Sequence, residues 1–480
     1  MCYGYDALNR IRHIRYGNGV ETAYTYDGDG NVRTLETRAG KTVLLSFAYR
    51  YDGNGNRTAK TGTQATLGGI ISGSNVLDIS YAYDVRGQLL EERRNGASVC
   101  YAYDKAENRI RKTDAQGEIR YLYNAKNQLI TEESPADRNQ FSYDRQGGII
   151  EEKNLAGIRL FSYNNRHQQT RVETETGNVQ ENRYDAEGLR FELLENGRRT
   201  SFVYHDGELL HEEGREEQGT SYHLGAGMEA FRRGQELSYY HRDEQLSTAL
   251  VTDGHRNVQN SYQYDAFGMS LGTTEKLNNR IRYTGQQYDE LTEQYYLRAR
   301  YYNPVAGRFM QEDVYQGDGL NLYAYCGNNP VMYDDPSGYE RKACPPQGKI
   351  SESVDESGRD IVPDKGFSSF KDLKTHLDSP GDGKVWHHIV EQSQITGSGF
   401  SSEQVNNINN VIAIPHGKGS IHAKISGYYS SKQFFTGGKT VRQWLAGQDF
   451  KTQFDFGMNL LKEYGDVIPS SKGWIFRTFE

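Results

Sequence analysis

The sequence is poor in residues that cross-link, kink or anchor a chain in a membrane. Its 480 residues include 4 Cys, 10 Pro and 3 Trp. The cysteines form no C-x-x-C pair, so neither a zinc ribbon nor a disulfide framework is indicated; they are Cys2, Cys100, Cys326 and Cys344. The chain has no apolar run of about 18 residues and no N-terminal Sec signal pattern, which predicts neither a membrane span nor Sec export.

Net positive charge is also absent, because the formal net charge is -8. That value excludes a basic nucleic-acid coat, although a small basic module could lie within the chain. The mean hydropathy of -0.83 would suggest disorder, but aromatic residues make up 12% of the chain. Tyrosine accounts for 36 residues, and its ring can be buried while its hydroxyl finds a partner. The composition therefore predicts a folded, tyrosine-rich protein of two to four domains.

The most regular feature is a Tyr-Asp pair, or a close variant, that recurs every 20 or 21 residues. The key tyrosines are Tyr83, Tyr103, Tyr123, Tyr143, Tyr163, Tyr184 and Tyr204. Each unit reads as strand, turn and strand, and a fixed period of this length is typical of a repeat architecture. Aromatic residues one position apart share a strand face, so stacked hairpins would be needed to bury them.

This pattern resembles the YD repeats of the RHS family. The resemblance implies a β-shell, or cocoon, of stacked antiparallel hairpins over residues 1–270. A generic tyrosine-rich β-sandwich is the alternative, but sandwiches lack such a period. The expected fold class is therefore mainly β, followed by a small α+β domain discussed below.

Residues 283–338 closely resemble the RHS-associated core that closes such a shell, which places a core domain at 271–339. In that family, two aspartates cut the chain just after an Asp-Pro-x-Gly sequence. The resemblance implies Asp313 and Asp335 as the catalytic pair, with the cut between Tyr339 and Glu340. Two close carboxylates can share a proton, so that one acts as an acid while the other activates water.

Several features of the junction leave alternatives open. Arg308 matches a family arginine that could support the autoprotease by holding one carboxylate ionised, or it could form a plain salt bridge. Glu312 and Asp334 flank the proposed pair as possible substitutes. Tyr339 stands where the family usually has leucine, and Asp-Pro-Ser-Gly is also an ordinary turn sequence.

The composition changes abruptly after residue 339. All three tryptophans lie beyond it, whereas only three of the 36 tyrosines do. Residues 340–384 are polar and contain several Gly, Ser and Pro residues, which predicts a linker or lead-in. Residues 385–480 are then expected to form a separate domain whose last part is mildly basic.

Histidines are concentrated at the start of that domain. A His-His pair in a β-type segment is followed by asparagines, by an apolar strand at 411–414, and by a helix expected over 420–430. This order resembles the HNH or endonuclease VII-like nucleases of the ββα-metal class. The resemblance implies the following roles: His388 as general base, Asn410 orienting it with Asn407 as runner-up, His387 and His422 as metal ligands with His416 as a third, and Lys418 and Lys424 as phosphate-binding residues.

The implied cofactor is one divalent metal ion, and imidazole ligands suit Zn or Ni, although Mg stays possible. A zincin is disfavoured because H-E-x-x-H is absent and the inverted motif fails at Gln392. A thiol nucleophile is also unsupported, because Cys344 falls in the expected linker.

Together these features predict an RHS-type toxin. Its shell would enclose a metal-dependent nuclease, with DNA favoured over RNA as the substrate, and aspartate-dependent self-cleavage would release it. The resemblance implies a cognate immunity protein and a secreted effector that acts in a target cell's cytoplasm after being held in the producer's cytoplasm. No delivery or plug module precedes the repeats in this sequence.

Two rival functions fit parts of the sequence. One is a structural or adhesive YD-repeat protein that binds carbohydrate or a cell surface. The other keeps the C-terminal domain as a metal-independent ribonuclease, in which His388 activates a ribose 2′-hydroxyl.

Overall fold

The structure, a computed structural model, divides the chain into two compact units, Met1–Ile350 and Ser351–Glu480. It describes residues 1–67, 76–214, 218–315, 319, 321–343, 366–377, 379–381, 383–417, 419–433, 436, 438–448, 450–462, 464–470 and 473–478. Each unit has its own buried apolar clusters.

The first unit is built on a 26-stranded sheet in which each strand pairs antiparallel with the next strand along the chain. The strands are β1 (Cys2–Tyr5), β2 (Ile11–Arg15), β3 (Val20–Tyr26), β4 (Val32–Ala39), β5 (Thr42–Tyr51), β6 (Arg57–Gln64), β7 (Val76–Tyr83), β8 (Leu89–Arg94), β9 (Ala97–Tyr103), β10 (Arg109–Asp114), β11 (Gly117–Tyr123), β12 (Leu129–Glu133), β13 (Arg138–Tyr143), β14 (Ile149–Lys153), β15 (Ile158–Tyr163), β16 (Gln169–Glu173), β17 (Val179–Tyr184), β18 (Arg190–Glu195), β19 (Arg198–His205), β20 (Glu208–Glu213), β21 (Thr220–Leu224), β22 (Met228–Arg233), β23 (Glu236–Arg242), β24 (Thr248–Thr252), β25 (Val258–Tyr264) and β26 (Ser270–Glu275). The prediction of a mainly β fold with stacked antiparallel hairpins is confirmed for this unit.

The Tyr-Asp repeat makes the same hydrogen bonds in successive turns. After β9, the Asp104 carboxylate accepts from the backbone N–H groups of Ala106 and Asn108 at 2.8 and 2.9 Å. The Tyr103 hydroxyl donates to the Leu89 carbonyl oxygen at 2.9 Å. Equivalent tyrosine bonds, at 2.7–2.8 Å, run from Tyr123 to Arg109, from Tyr163 to Ile149 and from Tyr184 to Gln169. The repeat is therefore a local rule that closes each turn and ties it to the preceding hairpin.

Two smaller sheets follow in the first unit. They contain β27 (Gln287–Asp289), β28 (Gln294–Leu297), β29 (Arg300–Asn303) and β30 (Arg308–Phe309), and then β31 (Tyr333–Asp334) with β32 (Lys342–Ala343). Tyrosines fill the interior here, where Tyr302 and Tyr325 stack with ring centroids 4.0 Å apart.

A buried ion cluster joins this segment to the large sheet. Asp289 in β27 is paired with Arg190 in β18 and with Arg280, and all three side chains are fully buried. The Arg280–Asp289 distance is 2.8 Å. Burial opposes ionisation of Asp289, but the two arginines hold its pKa below the ordinary value. A buried carboxylate of this kind needs both partners to stay charged.

The second unit is an α+β domain. Its elements are α1 (Phe370–Leu377), β33 (Lys384–His388), α2 (Gln394–Gly397), α3 (Ser402–Val405), β34 (Val411–Pro415), α4 (Ile421–Ser430), α5 (Val441–Leu445), α6 (Phe450–Lys462), β35 (Gly465–Ser470) and β36 (Gly473–Thr478). The sheet order is β33-β34-β36-β35, with β33 antiparallel and β36 parallel to β34. Across the described part of the chain, no helix combines the length and apolar character needed to cross a membrane.

The structure corrects the assignment of residues 340–384 to a linker in one part. Residues 366–377 belong to the folded C-terminal unit, because α1 buries Leu373 completely against Ile408 and Val411. Polar composition suggested a linker and hid a helical face. The apolar residues that form this face are Phe367, Phe370, Leu373 and Leu377, spaced three or four apart.

Candidate active sites

Arg300 connects the two aspartates that the sequence singles out in the first unit. Its Nη2 atom lies 2.6 Å from Asp313 Oδ2 and 3.4 Å from Asp335 Oδ2. Both carboxylates are buried, so a single guanidinium nitrogen bridges two charges that little water reaches. The structure thus brings the predicted pair together through an arginine that the sequence analysis did not select.

The same two side chains hold the Gly338–Tyr339 peptide bond. Arg300 Nε donates to the Gly338 carbonyl oxygen, and the Tyr339 N–H donates to Asp335 Oδ1 at 3.2 Å. Gly338 has φ 73°, and a Cβ there would lie 2.4 Å from the Leu297 carbonyl oxygen, so only glycine fits this turn. The contacted bond is one residue ahead of the predicted junction between Tyr339 and Glu340.

Arg308 occupies a different position from the one expected. Its guanidinium donates to the Asn127 carbonyl oxygen at 2.7 Å and lies over the rings of Tyr123 and Tyr323, 4.9 and 5.0 Å from their centroids. Glu312, the possible substitute for Asp313, accepts from the Tyr323 hydroxyl at 3.3 Å. The arginine that contacts the aspartates is therefore Arg300 in β29, since Arg308 in β30 is occupied by the sheet.

Three of the predicted histidines lie together in the second unit. The ring centroids of His387 and His422 are 5.4 Å apart, and those of His416 and His422 are 5.2 Å apart. His387 ends β33 beside β34, His416 follows β34, and His422 begins α4, whose N-cap is Ser420. The predicted order of strand, strand and helix is present, and it brings residues far apart in sequence to one place.

These three histidines have the donor chemistry of metal ligands. Burial lowers the pKa of His387 to about 3, and burial with the nearby His416 lowers that of His422, so both rings are neutral at pH 7. Two imidazoles on one tetrahedral ion would have centroids roughly 5 Å apart, given metal–nitrogen bonds of about 2.0–2.1 Å. Among the described residues no three such side chains already converge on one point. The spacing thus supports candidate ligands rather than a preformed site.

His388 points to a different set of partners from His387, as expected for adjacent strand residues. Its Nε2 atom lies 3.2 Å from Asn406 Oδ1, and the Phe370 ring packs against it with centroids 4.3 Å apart. Burial is the main reason that the pKa of His388 falls to about 4. A neutral imidazole held by one nitrogen has its other nitrogen available to accept a proton.

The asparagine next to the base differs from the predicted one. Asn410, the expected orienting residue, accepts from the Val390 N–H at 2.8 Å and donates to the carbonyl oxygens of Val390 and Val405 at 3.0 and 2.8 Å. It therefore fixes the segment just after His388 and does not touch the ring. Asn407 accepts from the backbone of Asn409 at 3.2 Å, and the direct contact belongs to Asn406.

The predicted phosphate-binding lysines are only partly placed. Lys418 lies outside the described residues. Lys424 is exposed on α4, with its ammonium 5.7 Å from the centroid of the Tyr464 ring.

Comparison with known proteins agrees with the repeat pattern. The teneurin YD-shell family matches residues 69–331, and the RHS repeat family matches residues 5–43. The first match covers more than half of the chain. The chain therefore belongs to the YD-shell family of RHS-repeat proteins.

Three curated relatives are named as nucleases or toxins. The tRNA nuclease WapA of Bacillus subtilis is 31% identical over 352 residues, which cover 70% of this chain and 12% of that protein. The tRNA3(Ser)-specific nuclease WapA of Bacillus spizizenii is 38% identical over 177 residues, covering 33% of this chain and 7% of that protein. The toxin protein Tse5 of Pseudomonas aeruginosa is 48% identical over 59 residues, covering 12% and 4%. The chain spans only a small part of each relative.

Proposed function

We propose that the C-terminal unit is a nuclease that hydrolyses phosphodiester bonds, with His388 as the general base. The observation that carries this proposal is the pair of adjacent histidines with separate surroundings. His387 faces two other imidazoles, whereas His388 is held by Asn406. One strand thereby supplies a candidate ligand and a candidate base side by side.

The chemistry assigned to the protein side chains follows from these contacts. Asn406 fixes the His388 ring through one nitrogen, so the other nitrogen can take a proton from the attacking water. Asn410 acts as a positioning residue, because its side chain ties down the backbone at Val390. His387, His416 and His422 would hold one divalent ion, which polarises the phosphoryl oxygen and stabilises the leaving oxygen when bound.

The names of the relatives make transfer RNA the first substrate to test. Two of them are named as tRNA nucleases. The preference for DNA over RNA stays a prediction that the same experiment decides. A YD-repeat protein that only binds carbohydrate or a cell surface would have no use for the histidine arrangement.

The test is to incubate the full chain with tRNA and with plasmid DNA, each with and without EDTA. Cleavage that EDTA abolishes supports the metal-dependent nuclease. Cleavage of tRNA that persists in EDTA supports the metal-independent ribonuclease in its place. Failure to cleave either substrate, with added Zn, Ni or Mg, contradicts the nuclease proposal.

We also propose that the chain hydrolyses itself in the turn after Asp335. The contacts favour the Gly338–Tyr339 bond over the bond between Tyr339 and Glu340. Arg300 would stabilise the oxygen of Gly338 as water adds to its carbonyl carbon. Asp313 and Asp335 would take one proton from water and deliver one to the Tyr339 nitrogen, leaving a carboxylic acid on Gly338 and a free amine on Tyr339.

Intact-mass spectrometry of the full chain tests this second proposal. The expected N-terminal fragment ends at Gly338, and one ending at Tyr339 would move the cut to the predicted junction. Asp335→Asn and Arg300→Gln should both leave the chain uncut, whereas Asp206→Asn changes an exposed aspartate and should not. A wild-type chain that stays whole contradicts self-cleavage.

Taken with the family membership, these proposals describe an RHS-type toxin effector. Its partners would be a nucleic-acid substrate in a target cell and a cognate immunity protein, because a free nuclease would attack the cell that makes it. Co-expression with the gene next to it is a direct test of protection.

A further inference from the structure

Helix α1 places a cation beside the candidate general base. The ring of Phe370 packs on the His388 ring, and one turn later the Lys374 ammonium lies 4.7 Å over the centroid of the same Phe370 ring. Residues four apart on a helix share a face, so Lys374 is held on the side of α1 that carries Phe370. The three groups form a stack from the solvent to the base.

The helix is anchored, which makes the position of this cation specific. Leu373 is fully buried against Ile408 and Val411, and the Phe367 N–H donates to the Asn406 carbonyl oxygen at 2.9 Å. Asn406 is the residue whose side chain contacts His388. The segment that carries Lys374 is therefore bonded to the segment that holds the base.

The Lys374 side chain itself is exposed. A cation over an exposed aromatic ring is held only weakly, so a stronger anionic partner can take its place over the ring. A lysine ammonium is a compact charge with three donors, which suits a phosphate group. Lys424, the described lysine that the sequence favoured for this role, instead lies near Tyr464.

We propose that Lys374 contacts a backbone phosphate of the nucleic acid next to the bond that His388 attacks. Phe370 would keep the ammonium beside the base when no substrate is present. The inference rests on the proposed nuclease function, and it adds the first turn and a half of α1 to the substrate surface. The ligand class is the sugar-phosphate backbone of a nucleic acid, without regard to base sequence.

Binding tests the inference separately from cleavage. In the full chain carrying His388→Ala, affinity for a fluorescently labelled single-stranded RNA oligonucleotide is measured at several NaCl concentrations. Adding Lys374→Ala should weaken binding about fivefold to tenfold and reduce the slope of log affinity against log salt by about one. Lys374→Arg should keep most of the slope.

Lys371→Ala is the matched control, because it removes the same charge from another exposed position of α1. Its slope should match that of the parent. Equal slopes for the Lys374 and Lys371 variants, including no binding by any protein, would overturn the inference. Equal thermal melting of the two variants shows that α1 is intact in both.

Cleavage by the wild-type chain distinguishes the two proposals. Wild-type cleavage with equal binding slopes contradicts only the role of Lys374. A loss of slope at Lys374 without wild-type cleavage supports the phosphate contact and contradicts the nuclease.

Discussion

The two units are stabilised in different ways. In the first, a tyrosine hydroxyl and an Asx turn repeat at a fixed spacing, so that many equivalent bonds share the load. In the second, each important contact occurs once, as with Asn410 or Leu373. The repeated arrangement tolerates the loss of one member, whereas the single contacts do not. The exception in the first unit is the ion cluster at Asp289, which has no duplicate.

Asp289→Ala tests that exception and should have the largest effect. It leaves Arg190 and Arg280 buried without their shared carboxylate, which should cost about 3–5 kcal/mol of unfolding free energy. Urea unfolding followed by far-UV circular dichroism measures it.

A partly exposed pair provides the control for Asp289. Glu181 lies 2.9 Å from Arg171, and Glu181→Ala should cost at most about 1 kcal/mol. Equal losses for the two variants would mean that the buried cluster has no special part in the unit.

Leu373→Ala examines whether α1 belongs to the second unit. Removing a fully buried leucine should cost about 3 kcal/mol, because it leaves a cavity against Ile408 and Val411. All three tryptophans of the chain lie in this unit, so tryptophan fluorescence reports its unfolding. An unchanged transition would return residues 366–377 to the status of a linker.

Asn410→Ala removes three buried hydrogen bonds to the backbone at Val390 and Val405. It should lower the unfolding free energy of the second unit by about 2–3 kcal/mol. Tryptophan fluorescence should show the loss, and hydrogen exchange should locate it at residues 388–390. Exchange that increases elsewhere and not there would contradict the positioning role.

Tyr123→Phe should have the smallest effect, about 1 kcal/mol, because one repeated hydroxyl bond to Arg109 is lost. Tyr163→Phe removes the equivalent bond to Ile149 and should cost the same. A much larger loss at either position, measured by urea unfolding, would show that the repeats are not equivalent.

The same contrast explains what the sequence could predict. The bonds of the repeats are local, so the Tyr-Asp period predicted both the turns and the antiparallel hairpins. Strand β34 and the start of α4 at Ser420 were also predictable, since an apolar run and an N-cap are visible in the sequence.

Contacts between distant elements were harder to predict. Arg300 and Arg308 lie on neighbouring strands, and only the strand pairing decides which one faces the aspartates. Asn406 and Asn410 are separated by one short turn, which sends the first to the His388 ring and the second to the backbone. Helix α1 was missed because the composition of 340–384 was averaged over a helix and its polar surroundings.

The central claim is that His388 is the base of a nuclease, and one assay tests it most directly. Initial rates of tRNA cleavage are compared for the wild-type chain, His388→Ala and His376→Ala, in which the control histidine stacks on Phe367. We predict that His388→Ala lowers the rate by about 10²–10⁴-fold and that His376→Ala changes it less than about twofold. Wild-type rates in the His388→Ala variant would contradict the account.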